Sequence, residues 1–100
     1  MEKHKIIIYP IAQNDLMEIV DYLNTLSPDA AIKYYDLLVG QIESLAELPE
    51  RCPLVKDTQL RLRGYRTLLV KNYIVFYVVN ESTVEIRRIL YNKRQYDVLL

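Results

Sequence analysis

The sequence of 100 residues contains one cysteine, one histidine and two glycines, and each scarcity removes a class of function. With Cys52 alone, no intrachain disulfide can form and no thiolate cluster can hold zinc. A reducing, cytoplasmic location is therefore expected. His4 sits in a polar N-terminal stretch, so a Ser-His-Asp or Cys-His arrangement would have to be built around a mobile residue. Phosphate-cradling loops and dinucleotide fingerprints need more glycines than Gly40 and Gly64 supply. No metal and no cofactor is expected. Only a few apolar residues precede Pro10, too few for the core of a secretory signal or a membrane span, so neither is expected. Internal repeats, low-complexity tracts and linkers are also lacking, which leaves residues 1–100 as a single domain able to bury a modest core.

What is present is a division of charge. The formal net charge is zero, yet residues 1–50 carry three lysines against nine carboxylates, and residues 51–100 carry ten Lys or Arg against four. An acidic half and a basic half make local potential more informative than the isoelectric point.

The apolar pattern orders the elements. Residues 5–9 form a short run of high β-propensity, expected to be a strand buried on both faces. After Pro10, Ala12, Leu16, Ile19, Val20, Leu23 and Leu26 recur every three or four positions, which predicts an amphipathic helix with Asp15, Glu18 and Asp21 off the stripe. Ser27, Pro28 and Asp29 restart a helix: a side-chain acceptor, a residue preset for the first turn, and a charge matched to the positive end. Ile32, Tyr35, Leu38, Val39, Ile42 and Leu45 give the second stripe, with Gly40 either permitting close packing or merely tolerated. Pro49 and Pro53 bracket the exit, and residues 50–64 read as irregular. Residues 65–70, 73–79 and 83–91 are three strands joined by short polar turns at Lys71-Asn72 and 80–82. The fold class is α+β: an N-terminal strand, an antiparallel helix hairpin, a three-stranded antiparallel meander, and a short C-terminal tail or helical turn.

Few constellations carry chemistry. Cys52 reads as a small buried hydrophobe rather than an activated thiol. Asp15, Glu18 and Asp21 read as a solvated helix face. The remaining cluster is Arg61, Arg63, Arg66, Arg87, Arg88, Lys93 and Arg94, interleaved with Tyr65, Tyr73, Tyr77, Tyr91 and Tyr96. Alternation places Arg66 with Leu68 and Val70, Arg87 with Ile89 and Tyr91, and Arg88 with Ile86 and Leu90, its stem partly buried and its head paired. Guanidinium groups bind phosphate bidentately and tyrosines stack on bases, so RNA and an acidic protein segment both suit this surface.

The ordered set of Leu48-Pro49 after the second helix, Leu60-Arg61 before the meander, the run at 73–79, and Val84-Glu85-Ile86-Arg87-Arg88-Ile89-Leu90-Tyr91-Asn92-Lys93-Arg94 resembles the RelE/ParE toxin superfamily along nearly the whole chain. The resemblance implies a growth-inhibiting, plasmid-stabilisation-type toxin of a type II toxin–antitoxin pair, neutralised by a cognate antitoxin that wraps it. RelE-like members are ribosome-dependent mRNA interferases that cleave without metal by activating the ribose 2′-hydroxyl. ParE-like members share the fold and poison DNA gyrase. For mRNA cleavage the resemblance implies Arg94 and Arg66 on phosphate charge and Tyr91 or Tyr96 as proton donor or stacking residue. Arg61, Arg63, Arg87, Arg88 and Lys93 would bind substrate or antitoxin. Leu68 and Ile74 stand where RelE-like sequences carry basic residues, and Tyr91 replaces a histidine common in ParE-like endings. A third possibility is an inactive binding module of the same fold. The antitoxin segment is expected to be acidic or amphipathic and to cover Arg66, Arg87 and Arg94.

Overall fold

A computed structural model describes residues 3–92. Lys93, Arg94 and Tyr96 lie outside the described residues, as does the expected C-terminal tail or turn. Strand β1 (Lys5–Ile8) leads into helix α1 (Pro10–Leu26) and helix α2 (Pro28–Ser44). A single 3-10 turn (Pro49–Arg51) and the short helix α3 (Thr58–Leu62) follow, then strands β2 (Tyr65–Val70), β3 (Tyr73–Asn80) and β4 (Thr83–Tyr91). The sheet order is β1-β4-β3-β2, with β1 parallel to β4 and the other pairs antiparallel, so the expected α+β meander is joined by one parallel edge strand.

The two sheet faces bury different cores. The helix face packs Ala12, Leu16, Leu38, Ile42 and Leu45 against Val75, Tyr77, Ile86 and Ile89. The other face packs Val55 and Leu60 against Tyr65, Ile74, Phe76 and Leu90. Burial of β3 on both faces explains its continuous apolar sequence.

Local chemistry sets the boundaries. Ser27 Oγ accepts from Ala30 N–H at 3.3 Å, as its position before Pro28 predicts. Arg51 Nη1 donates to the carbonyls of Ser44 and Glu47 at 3.0 and 2.8 Å, placing a cation on the negative end of α2. The turns at Lys71 and Glu81 hold φ at 54° and 56°, the positive values that two-residue hairpin links require.

Several expectations are corrected. β1 is an edge strand that alternates exposed and half-buried residues, because it has a partner on one side only. The α2 stripe is rotated: Ala31, Leu38 and Ile42 are buried while Ile32 and Tyr35 are exposed, since the helix meets α1 and the sheet along the Ala31 side. Residues 50–64 are not wholly irregular; Asp57 accepts from Leu60 N–H at 3.0 Å and starts α3. A Cβ at Gly40 would meet nothing within 4 Å, so that glycine serves no close approach. Asp15 is buried, not solvated. His4 is tied by its backbone N–H to Ala46 O at 2.8 Å rather than hanging free.

Candidate functional site

Strand alternation fails at one point in β4, and the failure shapes the site. Tyr77 pairs with Ile86 but Phe76 pairs with Arg88, so Arg87 is the extra residue of a β-bulge. The bulge shifts the phase of everything after it. Ile89 joins the helix-face core and Leu90 the opposite one, so Arg87 does not share a face with Ile89, nor Ile86 with Leu90. Arg87 lies between two rings, its Cζ at 4.6 Å from the Tyr9 centroid and 5.3 Å from that of Tyr65. Its Nη1 also meets Glu85 Oε1 at 3.3 Å, and the same carboxylate oxygen accepts from Tyr9 Oη at 3.1 Å. That hydrogen bond, more than burial, holds the Tyr9 phenol above its ordinary pKa.

Arg88 is paired, as expected, and its partner is the surprise. Nε and Nη2 donate to the two carboxylate oxygens of Asp15 at 2.7 and 3.0 Å, a bidentate pair between groups mostly withdrawn from water. Asp15 Oδ2 also accepts from the backbone N–H of Ile89 at 3.0 Å. The hydrogen bonds to Asp15 raise the Arg88 pKa further, against the opposing effect of burial. A fully apolar stripe would exclude Asp15. It stands three residues after Ala12 and four before Ile19, however, at the border of the buried face, and that spacing is the signal a reader of the sequence could have weighed.

Arg66 is engaged as well. Nη1 donates to the carbonyls of Cys52 and Glu50 at 2.7 and 3.2 Å, and Nη2 lies 3.7 Å from the exposed Glu50 carboxylate. Nearby, Tyr77 Oη donates to Pro49 O at 2.6 Å, and burial, then contact with Cys52, pushes its phenol well above the ordinary range. Cys52 is half-buried against the helix-face core. Arg61 and Arg63 are exposed on α3 and its cap, with Arg61 Nη1 reaching Lys56 O at 3.3 Å. Leu68 and Ile74, the apolar residues at the two positions compared with basic ones above, are buried in opposite cores.

Beside Asp15 runs a groove of about 580 Å³ between α1 and the far end of β4. Tyr73 forms part of its wall, its ring 5.8 Å from Tyr91 and 6.1 Å from Tyr34, both edge-on. Burial, then the neighbouring Tyr34, Tyr91 and Tyr22, raises the Tyr73 pKa. Tyr91 was expected near phosphate; it stands here, 41% exposed, at the mouth of an acidic groove. The structure thus brings Tyr91 together with Tyr73 and Asp15, and not with Arg66, Arg61 or Arg63.

No three of His, Cys, Asp and Glu converge as metal ligands among the described residues, and no described helix is long and apolar enough to cross a membrane. Residues 6–96 match the family model for the ParE toxin of the type II toxin–antitoxin system parDE. No curated protein matches. Among solved structures, the chain is similar to one of the chromosomal ParDE toxin–antitoxin system of P. aeruginosa, with TM-score 0.76 and 21% identity over 89% of this chain and 96% of that one. It is also similar to one of the RelBE2 toxin–antitoxin complex of Mycobacterium tuberculosis, with TM-score 0.59 and 20% identity over 91% of this chain and 93% of that one. At these identities the likeness speaks to the fold.

Proposed function

We propose a function from one premise: the chain belongs to the ParE toxin family of type II toxin–antitoxin systems. The reading is a growth-inhibiting toxin that acts on DNA gyrase without cutting RNA and is held inactive by a cognate antitoxin. One observation carries the choice against an mRNA interferase. Of the two arginines expected on phosphate charge, Arg94 lies outside the described residues and Arg66 is committed within the chain to loop carbonyls.

A general acid or a phosphate clamp must present its donors to the reacting atoms, and each lost donor of that kind costs about 10²–10³ in rate. Leu68 and Ile74 add no charge, because both are packed in cores. A protein that binds and poisons another enzyme needs a shaped surface rather than such a constellation, and this chain offers one in the groove beside α1 and its exposed tyrosines.

Expression without antitoxin followed by two assays tests the reading. Arrested growth, accumulation of gyrase-linked DNA breaks and intact ribosome-bound mRNA by primer extension are expected. Site-specific mRNA cleavage with gyrase supercoiling unaffected would overturn it.

A further inference from the structure

The groove beside α1 differs in charge from the basic half of the chain. β1 stops pairing at Ile8 opposite Ile86, while β4 continues to Tyr91, so among the described residues the last stretch of β4 has no strand on its outer side. Asn92 N–H donates to Asn72 O at 2.8 Å, which fixes the alternation: Leu90 and Asn92 face β3, and the backbones of Ile89 and Tyr91 face outward. Asp15 takes the Ile89 N–H, and Tyr91 is left to present its backbone at the mouth of the groove. Tyr22 and Tyr91 line it with rings 62% and 41% exposed, amphipathic surface of the type enriched in interfaces.

Among the described residues the lining holds two carboxylates, Asp15 and Glu18, and no cation. Arg88, the described cation beside the groove, is bound to Asp15, and α1 contains no Lys or Arg to offset Asp15, Glu18 and Asp21. Phosphate is repelled by such a site. A cationic side chain gains from Glu18 and from the faces of the tyrosines together.

We propose that this groove seats an extended segment of the cognate antitoxin carrying a basic side chain next to an apolar one, with Glu18 as the residue that selects the charge. The inference rests on the antitoxin reading above and refines it, since the segment that meets this groove is opposite in charge to one that would cover Arg66 and Arg87. The apolar neighbour packs between Tyr22 and Tyr91, and the segment's backbone meets the outward-facing backbone of Tyr91.

Calorimetric titration of the toxin with the product of the adjacent reading frame tests it. In Glu18→Arg the affinity is expected to fall about tenfold or more, as for a reversed interfacial charge, and in Tyr22→Ala by a similar factor. Glu18→Gln should lose less. Glu43→Arg, at another exposed carboxylate, on α2, should leave affinity unchanged, and thermal melts confirm that each variant is folded. Changing one Lys or Arg of the antitoxin to Glu should restore binding to Glu18→Arg alone. A complex whose affinity is indifferent to Glu18→Arg and Tyr22→Ala overturns the proposal and leaves the antitoxin reading intact. No complex with the wild-type toxin overturns that reading, and this inference with it. Self-association abolished by Glu18→Arg, with antitoxin affinity unchanged, overturns it in favour of a second copy of this chain.

Discussion

At the β4 edge of the sheet a carboxylate reaches in; at the β2 edge a guanidinium reaches out. Asp15 accepts the N–H of Ile89 where β1 has ended, and locks Arg88 in the same contact. On the opposite edge, residues 53–55 run beside β2, with Val55 N–H donating to Tyr65 O at 3.0 Å, and Arg66 holds the preceding carbonyls. Unpaired strand edges invite unwanted pairing, and both devices close part of one. They differ in redundancy. The β2 edge has backbone bonds that survive the loss of its side chain, whereas the described part of the β4 edge beyond Ile86 depends on one carboxylate.

The largest expected effect separates the two. Asp15→Ala takes the bidentate carboxylate from a largely buried Arg88 and orphans the Ile89 N–H, a loss of about 3–5 kcal/mol for a broken buried pair. Arg66→Ala removes two charge-assisted bonds to carbonyls but leaves the 53–55 pairing, so about 1.5–3 kcal/mol is expected. Its contact with Glu50 adds little, because that carboxylate is 72% exposed. Urea unfolding of the two variants in parallel checks the order. Equal losses would mean that the β4 edge has support beyond Asp15, and the contrast would fail.

A second prediction concerns the loop that covers β2. Tyr77 donates to the buried Pro49 carbonyl, and its phenol is held neutral well above the ordinary range, by burial first. A folded-state pKa above the unfolded value contributes stability that is complete below the unfolded pKa of about 10 and is lost as pH rises from there through the folded value. Tyr73 on the groove side shifts in the same direction. Stability should therefore hold from neutral pH to about 10 and decline above it. Tyr77→Phe should cost about 1–3 kcal/mol at pH 7, for the orphaned carbonyl, and should flatten the alkaline decline. A decline as steep in Tyr77→Phe as in the wild type would assign the effect elsewhere.

The contrast between the edges also shows what a linear reading can reach. Ser27-Pro28-Asp29, the period of α1 and the three meander strands were legible, because caps, periodicity and two-residue turns are local in sequence. Arg88 was legible as a paired group, since its neighbours are apolar. Its partner was not: Asp15 lies 73 residues away, and only the topology that runs β1 beside β4 brings α1 to that edge. The bulge at Arg87 was equally hidden, for a skipped register leaves no mark in an alternating run. Arg66 looked like a free cation for the same reason, as the carbonyls that bind it belong to a stretch with no periodic pattern. Tyr73 and Tyr91 of the groove were legible, but as partners of the arginines rather than of Asp15 and Glu18, and Tyr22 was not singled out.

The smallest effect tests how the hairpin between the two edges is set. Lys71 carries φ of 54° in the two-residue link between β2 and β3, and Asn72 O accepts the Asn92 N–H that fixes the outward phase of Tyr91. A side chain in the left-handed region costs about 1–2 kcal/mol, part of which glycine returns as its own entropy loss. Lys71→Gly should therefore raise stability by about 0.5–1 kcal/mol. It removes a cation at the end of the sheet distant from the 49–55 loop, so the alkaline profile set by Tyr77 should not move. Because the turn and the β4 edge share the Asn72–Asn92 bond, the gain should persist in Arg66→Ala and shrink in Asp15→Ala, where the β4 edge has lost its anchor. Full additivity with Asp15→Ala in a double-mutant cycle would show that the hairpin and the β4 edge are independent.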